Sequence, residues 1–536
     1  MPIDYNEFDV GNAVNSGGVT GSKRVKMGGK NYQLKPSIKD NSFGRRLKAG
    51  GTDRENYGEV ISAKIARRIL ITDSFEAAPD VRLVYDKDRK RTPVASKYLE
   101  GEQVRTLDAF IQEKGEIVLT GKKHIKFVDG SKKGGADPLH REYDISGKEN
   151  AELRKDISRG IVGSIITGDH DINPGNFIVV TQGGKDRVAR IDFGHAFNDL
   201  LNTSKAFGGQ VRNKDNQVLD FFNRENVAGL PKAQSKLWRD YPGMIPTQEM
   251  ADALKEVSQS TGLKQGVADA RAEFTELLYT MEANKDKSGI KHLKESLNAI
   301  SSNISGVKLD PKLTPEQTIA AAFSNIERFS QQNQNQMQDV GKLMQMQVDI
   351  DKIIEGKKKG VQPSEEQIDQ IKATYAELSK SKGIAQKGGK LEWVKTDAKK
   401  HAHKGDLESY IKQRGEELGL NKENSKELAH ANFQLPKKPS FFERIFGGTQ
   451  EVPVKSETVS ITKKPQIQAM AKHSPKQDKE SPHFHIGELS KVDKAKIEGI
   501  KDKLMHNRDQ GVEKIQMGRQ RSNAITKRPE KVAMEI

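Results

Sequence analysis

The sequence predicts an α+β fold in which a strand-rich N-terminal part precedes a helix-rich part. Two patterns support this prediction. Residues 11–35 alternate apolar and polar side chains between glycine-rich turns, as antiparallel strands do. From about residue 245 the pattern becomes that of amphipathic helices. From about residue 436 the chain is rich in Lys, Pro, Ser and Gln, so we expect a disordered basic tail.

Length and composition limit the classes of protein to consider. A chain of 536 residues is too long for one ordinary core, so several domains are expected. The net charge of +16 favours an acidic partner, such as a phosphoinositide membrane or a nucleotide. Cysteine is absent, which excludes disulfides, thiolate metal sites and a cysteine nucleophile. The sequence shows no zinc-finger spacing and no aromatic RNA-binding signature, so nucleic acid is not an expected partner.

The N-terminal elements can be taken in order. The stretch VKMGGKNYQLK, residues 25–35, predicts a hairpin. Residues 54–70 predict a helix with apolar side chains near one face, and DVRLVYD (80–86) and TPVASKYLEG (92–101) predict short strands. Residues 114–148, rich in Lys, Gly and Asp, are expected to be a loop insertion. A buried helix should follow over residues 149–169.

The later helical region carries two clear N-terminal caps. Thr314 is followed by Pro315 and then by Gln317 three positions on, and Ser364 precedes Gln367 in the same way. A stripe of apolar residues predicts core packing or a coiled coil: Val340, Leu343, Met344, Ile350, Ile353 and Ile354. The polar stretch SQQNQNQMQ, residues 330–338, is expected to be exposed helix or linker. Within the tail, FFERIFGG (441–448) is either a docking motif or a local hydrophobic contact.

A cluster of acidic and amide side chains flanks a second predicted hairpin, residues 177–190. Asp171 and Asn176 precede its first strand in the spacing D-x4-N, and Asp192 follows its second strand in the triplet DFG. In a hairpin the start of the first strand lies beside the end of the second strand, so these groups should converge. A phosphotransfer site needs a carboxylate that receives the proton of the acceptor hydroxyl. It also needs an amide oxygen and a second carboxylate, which together hold Mg²⁺. The sequence therefore predicts a kinase.

Other features occur in the order that a kinase requires. The glycine-rich stretch GGVTGS, with Gly17, Gly18 and Gly21, could cover the phosphates of ATP. Lys35 lies on the strand that follows, and its partner on the next helix should be Glu59, or else Glu55 one turn earlier. The stretch ASKYLEG (95–101) would form the hinge that meets adenine, with Tyr98 and Leu99 as ATP-binding residues.

These motifs resemble a known superfamily. RIDFGHAF, residues 190–197, is similar to the metal-binding motif of phosphatidylinositol 3- and 4-kinases, and VKMGGKNYQLKPS resembles the N-lobe strands of atypical kinases. In its lack of cysteine, its lysine-rich tail and its divergent kinase core, the chain is similar to secreted effector kinases of intracellular bacteria. The resemblance covers about residues 10–230 and implies a bilobal protein-kinase-like catalytic domain. The expected domains are an N-lobe (10–104), a C-lobe (105–240), an α-helical region (241–430) and a low-complexity basic tail (431–536).

The resemblance implies roles for individual residues. Lys35 would bind the α-phosphate, Asp171 would be the catalytic aspartate, and Asn176 and Asp192 would ligate Mg²⁺, or Mn²⁺ as an alternative. Asn173 stands where the lipid kinases have a histidine.

Several neighbouring residues have roles that the sequence leaves open. His170 precedes Asp171 and is a candidate for the catalytic group, and Asp169 is either structural or shares the base role. His195, directly after DFG, is expected to be a structural hydrogen-bonder. After DFG, the basic residues Lys205, Arg212 and Lys214 would either bind the phosphates of an inositol headgroup or form a solvated loop.

We therefore expect a Mg-ATP-dependent phosphoinositide kinase, with an atypical protein Ser/Thr kinase and a non-catalytic scaffold as alternatives. Its partners would be ATP, an inositol phospholipid at a membrane surface, and a host protein bound by the helical region or the tail. The N-terminus MPIDYNEFDV lacks the pattern of a signal peptide, and no run of about 18 apolar residues is present. The expected location is the bacterial cytoplasm and then, after secretion, the periphery of host membranes. The HAH (401–403) and HFH (483–485) stretches lack a supporting ligand set, so we expect no metal there.

Overall fold

A six-stranded sheet organises the N-terminal part of the chain. The computed structural model describes residues 2–15, 22–37, 53–70, 75–114, 116–118, 127–128, 131–132, 140–142, 150–169, 171–197, 216–223, 241, 243–386, 388–396 and 402–433. The strands follow one another in the order β1-β5-β6-β4-β3-β2, with β1 parallel to β5 and every other pair antiparallel. Their bounds are β1 Ile3–Asp4, β2 Asp9–Asn15, β3 Lys23–Met27, β4 Lys30–Lys35, β5 Val81–Tyr85 and β6 Val94–Lys97.

The predicted hairpin over residues 25–35 is present as β3 and β4. Its strands are joined by Gly28 and Gly29, whose φ angles are 54° and 77°. A two-residue turn that follows the twist of the strands needs positive φ at both positions, and glycine adopts such angles without steric cost. The turn therefore sets the register that pairs Met27 with Lys30 and Lys23 with Leu34.

Helix α1, Asp53–Ile69, packs against this sheet and confirms the predicted helix. Its buried face includes Tyr57, Val60, Ile61 and Ile65, all at most 1% exposed. Glu59 lies on another side of the helix and is itself only 3% exposed, so α1 is buried on more than one face.

A second, three-stranded sheet of order β13-β12-β7 follows the first. Strands β12 and β13 form the second predicted hairpin, and its turn uses Gly183 and Gly184 with φ of 56° and 72°. Two further antiparallel pairs, β8 with β11 and β9 with β10, lie in the stretch predicted as a loop insertion. The bounds are β7 Gln103–Thr106, α2 Leu107–Lys114, β8 Glu116–Val118, β9 Phe127–Val128, β10 Ser131–Lys132, β11 His140–Glu142, α3 Ala151–Ile166, β12 Phe177–Gln182 and β13 Lys185–Arg190.

The rest of the described chain is largely helical, as predicted. Thr314 and Ser364 each form a capping box with the glutamine three positions on. The bounds are α4 Gln217–Asn223, α5 Gln248–Gln259, α6 Gly262–Ala283, α7 Lys287–Ser305, α8 Pro315–Lys358, α9 Glu365–Leu378, β14 Leu391–Glu392, β15 Lys404–Gly405, α10 Leu407–Glu417 and α11 Lys422–Phe433. Helix α11 ends at Phe433, two positions beyond the predicted start of the tail at 431. The FFERIFGG and HFH stretches lie outside the described residues.

One hydrophobic core joins the helical region to the sheets. It contains side chains of α1, α3, β12 and β13 together with those of helices α5 to α9, and the predicted stripe from Val340 to Ile354 is buried in it. None of the helices in the described ranges is both long and apolar enough to cross a bilayer. The architecture of the described residues is mixed α+β, as predicted.

The expectation that residues 330–338 are exposed is wrong for half of this stretch. It lies inside α8, where Ser330, Asn333, Gln334 and Met337 are at most 4% exposed. The amide of Asn333 donates to the carbonyls at the end of α3, and that of Gln334 to the carbonyls at the end of α5. The terminal carbonyls of a helix have no partner within the helix, so buried amides can satisfy them.

Candidate active site

Lys35 connects the carboxylate of Glu59 on α1 with that of Asp192 after the second hairpin. It is the last residue of β4, and its side chain is only 9% exposed. Its Nζ lies 2.8 Å from Oε2 of Glu59 on α1 and 2.9 Å from Oδ1 of Asp192, which follows β13. The glutamate that pairs with Lys35 is therefore Glu59 rather than Glu55. One ammonium group thus links the first sheet, α1 and the segment after the second hairpin.

The electrostatics of this triad follow from burial and pairing. Burial disfavours the charge on Lys35, but the carboxylates of Glu59 and Asp192 outweigh burial, so the pKa of Lys35 is raised. Burial raises the pKa of Glu59, against the influence of Lys35. Burial would raise the pKa of Asp192 as well, but the charge of Lys35 and its hydrogen bond outweigh burial, so the pKa of Asp192 is lowered. Asp192 therefore stays ionised, which is the state that can bind a cation.

Asp192 has a backbone conformation that is uncommon for its residue type. Its φ is +56°, in the left-handed region, while its side chain is 43% exposed. A non-glycine residue is held in this region only when its surroundings enforce it, and such residues cluster at functional sites. The contact with Lys35 is one such constraint, and it leaves part of the carboxylate accessible.

Asp171 and Asn176 lie at the same end of the β12–β13 hairpin as Asp192, as predicted. Phe177 pairs with Arg190, and the amide of Ile191 donates to the carbonyl of Asn176 at 2.9 Å. Asn176 Nδ2 donates to the carbonyl of Asp171 at 2.6 Å. Because the nitrogen is used within the loop, the remaining Oδ1 is the atom of Asn176 that could bind a cation. The hairpin thus brings together the oxygens predicted for a metal.

The carboxylate of Asp171 contacts two nearby side chains. Asn173 Nδ2 donates to its Oδ1 at 3.0 Å, and His195 Nε2 lies 3.8 Å from its Oδ2. Asp171 is 22% exposed, and His195 is 60% exposed. The carboxylate is therefore oriented by its neighbours, and part of its surface is exposed.

Arg190 was missed by sequence reasoning, although it organises the loop. Its guanidinium is fully buried and donates to Asp169 Oδ2 at 3.0 Å, to Ser164 Oγ at 2.9 Å, and to the carbonyls of Asn176 and Asp171 at 2.9 and 3.1 Å. It also contacts the carbonyl of Ile191. The only sequence signal is a basic residue at the inner end of a strand, beside DFG.

Of the two roles that the sequence leaves open for Asp169, structural or sharing the base role, its surroundings favour the structural one. Asp169 is fully buried against Arg190, and its Oδ1 accepts from the backbone amide of Asp171 at 2.9 Å. Burial raises its pKa and Arg190 opposes that rise. A carboxylate enclosed in this way supports the loop from beneath and cannot reach a substrate hydroxyl.

Tyr98 and Leu99 lie in the connection between the two sheets, where a hinge was predicted. Tyr98 donates its amide to the carbonyl of Asn31, and Arg24 stacks on its ring at 5.0 Å. Leu99 packs beside a small cluster that includes Phe75 and Val180. The predicted residues outside the described ranges are Gly17, Gly18, Gly21, His170, Lys205, Arg212 and Lys214.

The donor set fits a small, hard divalent cation. Such ions prefer carboxylate and amide oxygens and usually bind few protein groups together with phosphates and water. Asn176 Oδ1 and the partly exposed carboxylate of Asp192 are groups of that kind. Within the described ranges no cluster of three or more His, Asp or Glu side chains forms a metal site of its own. His403, from the HAH stretch, lies against the ring of Tyr410.

Comparisons with known proteins give limited similarity. Residues 142–227 match the LepB N-terminal domain family, which is less than a fifth of the chain. No curated protein matches the sequence. Among solved structures, the chain is similar to the Helicobacter pylori proinflammatory kinase CtkA, with a TM-score of 0.33 and 13% identity, over 64% of this chain and 98% of that chain. A likeness at this level does not by itself assign an activity.

Proposed function

We propose that this chain is a Mg-ATP-dependent kinase. The observation that supports the proposal best is the position of Lys35, between Glu59 and Asp192 and beside the loop that carries Asp171 and Asn176. A buried lysine held by a helix glutamate, together with two oxygens suited to a metal and the partly exposed carboxylate of Asp171, is the set of groups that phosphoryl transfer requires.

Each residue has a distinct role in this proposal. Lys35 pairs with the ATP phosphates and is oriented by Glu59, while Asn176 and Asp192 hold Mg²⁺. When bound, Mg²⁺ neutralises phosphate charge during the transfer. Asp171 orients the acceptor hydroxyl and receives its proton as the oxygen attacks the γ-phosphorus.

Transfer of the γ-phosphoryl group forms one bond and breaks one. A new bond forms between the acceptor oxygen and the γ-phosphorus, the bond from that phosphorus to the β,γ-bridging oxygen breaks, and ADP leaves. The ordered Asp171 carboxylate, held by Asn173, contributes by positioning rather than by covalent chemistry.

For the acceptor we propose an inositol hydroxyl of phosphatidylinositol or a phosphoinositide. Support comes from the RIDFGH motif and from the net charge of +16, which favours an anionic membrane surface. The resemblance to secreted effector kinases further suggests a host membrane. An atypical protein Ser/Thr kinase is the second candidate, because Asn173 replaces the histidine of the lipid-kinase loop and hydrogen-bonds Asp171.

A side-by-side assay tests the proposal and separates the two acceptors. Wild type, Asp171→Asn and Asp192→Ala are incubated with labelled Mg-ATP and either a panel of inositol-lipid vesicles or a generic protein substrate. Asp88→Asn is the matched control, because Asp88 is exposed in the loop between β5 and β6. Wild type and the control should label lipid, whereas both site variants should lose at least about a hundredfold in rate.

Each contrary outcome has a defined meaning. Label in protein but not in lipid would replace the phosphoinositide proposal by the protein-kinase one. If wild type neither binds nor hydrolyses Mg-ATP, the kinase proposal is wrong and a non-catalytic scaffold takes its place. Asp171→Asn should still bind ATP, since Asp171 contacts the acceptor in this proposal, so loss of ATP binding in a folded variant would contradict its assigned role.

A further inference from the structure

Helix α6 of the helical region lies unusually close to α1, the helix that carries Glu59. At Gly262 an added Cβ would lie 2.1 Å from the carbonyl oxygen of Arg68, and at Gly266 it would lie 2.7 Å from the Cα of Ile65. Both neighbours are backbone atoms of α1, so no side-chain rotation could relieve the overlap. The spacing between the two helices therefore depends on these two glycines.

A buried carboxylate of α6 reinforces this contact. Glu273 is 5% exposed, and its Oε2 lies 3.0 Å from Nζ of Lys64 on α1. It also accepts from Arg82 Nε at 3.2 Å and from the backbone amide of Leu83 at 2.6 Å, both on β5. One carboxylate thus ties α1 to the first sheet, which also carries Lys35.

Further contacts hold α1 on two sides. Arg68 pairs with Asp269 of α6 at 2.7 Å, and the rings of Tyr57 and Phe274 meet edge to face at 5.1 Å. On another side, Gly58 approaches the carbonyl of Ala196, four residues after Asp192, so closely that an added Cβ would lie 3.2 Å from it. Glu59 follows Gly58 directly and cannot move away from Lys35 unless α1 breaks some of these contacts.

We propose that Glu273 is a positioning residue for the Lys35–Glu59 ion pair, and that α6 acts as a clamp that holds α1 in the arrangement the site requires. This inference rests on the proposed kinase function and assigns a task to the helical region. The clamp is defined as Gly262, Gly266, Asp269 and Glu273 of α6. It acts through α1 and touches neither ATP nor acceptor.

Two variants of the full chain perturb the clamp in different ways. Glu273→Gln keeps the shape of the side chain and an acceptor for Leu83, but removes the charge that faces Lys64 and Arg82. Gly266→Ala adds the methyl group that must push α1 away. Their matched controls are Glu282→Gln, an exposed glutamate later in α6, and Gly356→Ala, a helical glycine whose added Cβ would meet only ordinary contacts.

Three readouts are taken from the same samples. Amide hydrogen exchange reports on α1, with α9 as an internal reference. Amine acylation followed by mass spectrometry reports whether Lys35, which is buried and paired in wild type, has become reactive. Steady-state kinetics give kcat and KM for ATP, and circular dichroism checks that each variant is folded. Glu59→Gln is the positive control for the acylation of Lys35.

Both clamp variants should raise exchange in α1 and expose Lys35 to acylation, while α9 exchanges as before. We expect kcat to fall by about tenfold in Glu273→Gln and further in Gly266→Ala, with both controls unchanged. A merely structural role would raise exchange in α1 and α9 together, without selective acylation of Lys35. Such a result, or unchanged α1 exchange and Lys35 reactivity, would overturn the proposal. If wild type shows no phosphotransfer, the kinase proposal fails, yet exchange and acylation still decide whether the clamp exists.

Discussion

Replacing Arg190 by methionine is the sharpest test of how the loop is built. Arg190 is fully buried, and its guanidinium pairs with Asp169 while it donates to the carbonyls of Asp171 and Asn176. Methionine fills much of the same space but donates no hydrogen bond. Arg190→Met therefore leaves the Asp169 carboxylate buried with the amide of Asp171 as its remaining hydrogen-bond donor among the contacts described above.

The size of the effect follows from this geometry. Removing one partner of a buried ion pair costs about 3–5 kcal/mol, because the other charge is left uncompensated. The carbonyls of Asp171 and Asn176 each lose one donor but keep another, from Asn176 Nδ2 and the amide of Ile191, so each adds only up to about 1 kcal/mol. Because whole domains are stable by only about 5–15 kcal/mol, Arg190→Met should bring the protein close to unfolding at room temperature.

A double variant separates stability from activity. In Asp169→Leu with Arg190→Met neither charge of this buried pair remains, so much of the lost stability should return, since apolar replacement of a buried pair is often neutral. The carbonyls of Asp171 and Asn176 still lack the guanidinium that holds them. Phosphotransfer should therefore stay low in the double variant although the protein is folded.

Urea unfolding followed by circular dichroism at pH 7 measures the stabilities, and the labelled-ATP assay measures the transfer. Lys291→Met is the control, because it removes an ion pair with Glu295 in which both side chains are more than half exposed. The reasoning would be refuted if Arg190→Met unfolded at the same urea concentration as wild type. A double variant less stable than Arg190→Met, or as active as wild type, would refute it equally.

Two further predictions concern buried contacts of the site. In Lys35→Met, Glu59 loses its cation, so its pKa, which burial already raises, rises further. A carboxyl group with a raised pKa in the folded state makes the protein more stable as it gains a proton, so the stability deficit of Lys35→Met against wild type should shrink between pH 7 and about pH 5. Urea unfolding measures the deficit, and a deficit that grows as the pH falls would contradict this prediction. Asn333→Leu removes the buried donor to the carbonyls of Ile165 and Ile166 at the end of α3, of which the carbonyl of Ile165 still accepts from the amide of Gly168. The loss at Ile166 should cost about 1–3 kcal/mol by the same measurement. The exposed control Gln332→Leu should change little, and equal effects of the two variants would refute the capping role.

Much of the local structure and part of the site could be predicted from the sequence. The turns at Gly28–Gly29 and Gly183–Gly184 follow from the need for positive φ. The caps at Thr314 and Ser364 follow from side chains that bind backbone amides three positions on. The hairpin then determined that Asn176 and Asp192 share one end, because the register of paired strands is a local property.

The tertiary structure alone decided which charges pair and which polar groups are buried. Lys35 and Glu59 are 24 positions apart, and Arg190 and Asp169 are 21 apart, so no local spacing identifies either pair. The choice of Glu59 over Glu55 depends on the position of α1 along its own axis relative to Lys35, because residues one turn apart lie on the same face of a helix. The polar stretch of α8 is read as solvent-exposed from composition, yet its amides serve helix ends that only folding brings near them.

The physical reason is the range of the interactions involved. Turns, caps and strand pairing across a tight turn act over a few residues, so the amino-acid sequence by itself determined the hairpins and the helix starts of this protein. The ionisation of Asp192, the burial of Asp169 and the closeness of α1 to α6 depend on desolvation and packing between distant segments. Those quantities exist only once the chain is folded, and they decide which groups of the predicted site can act.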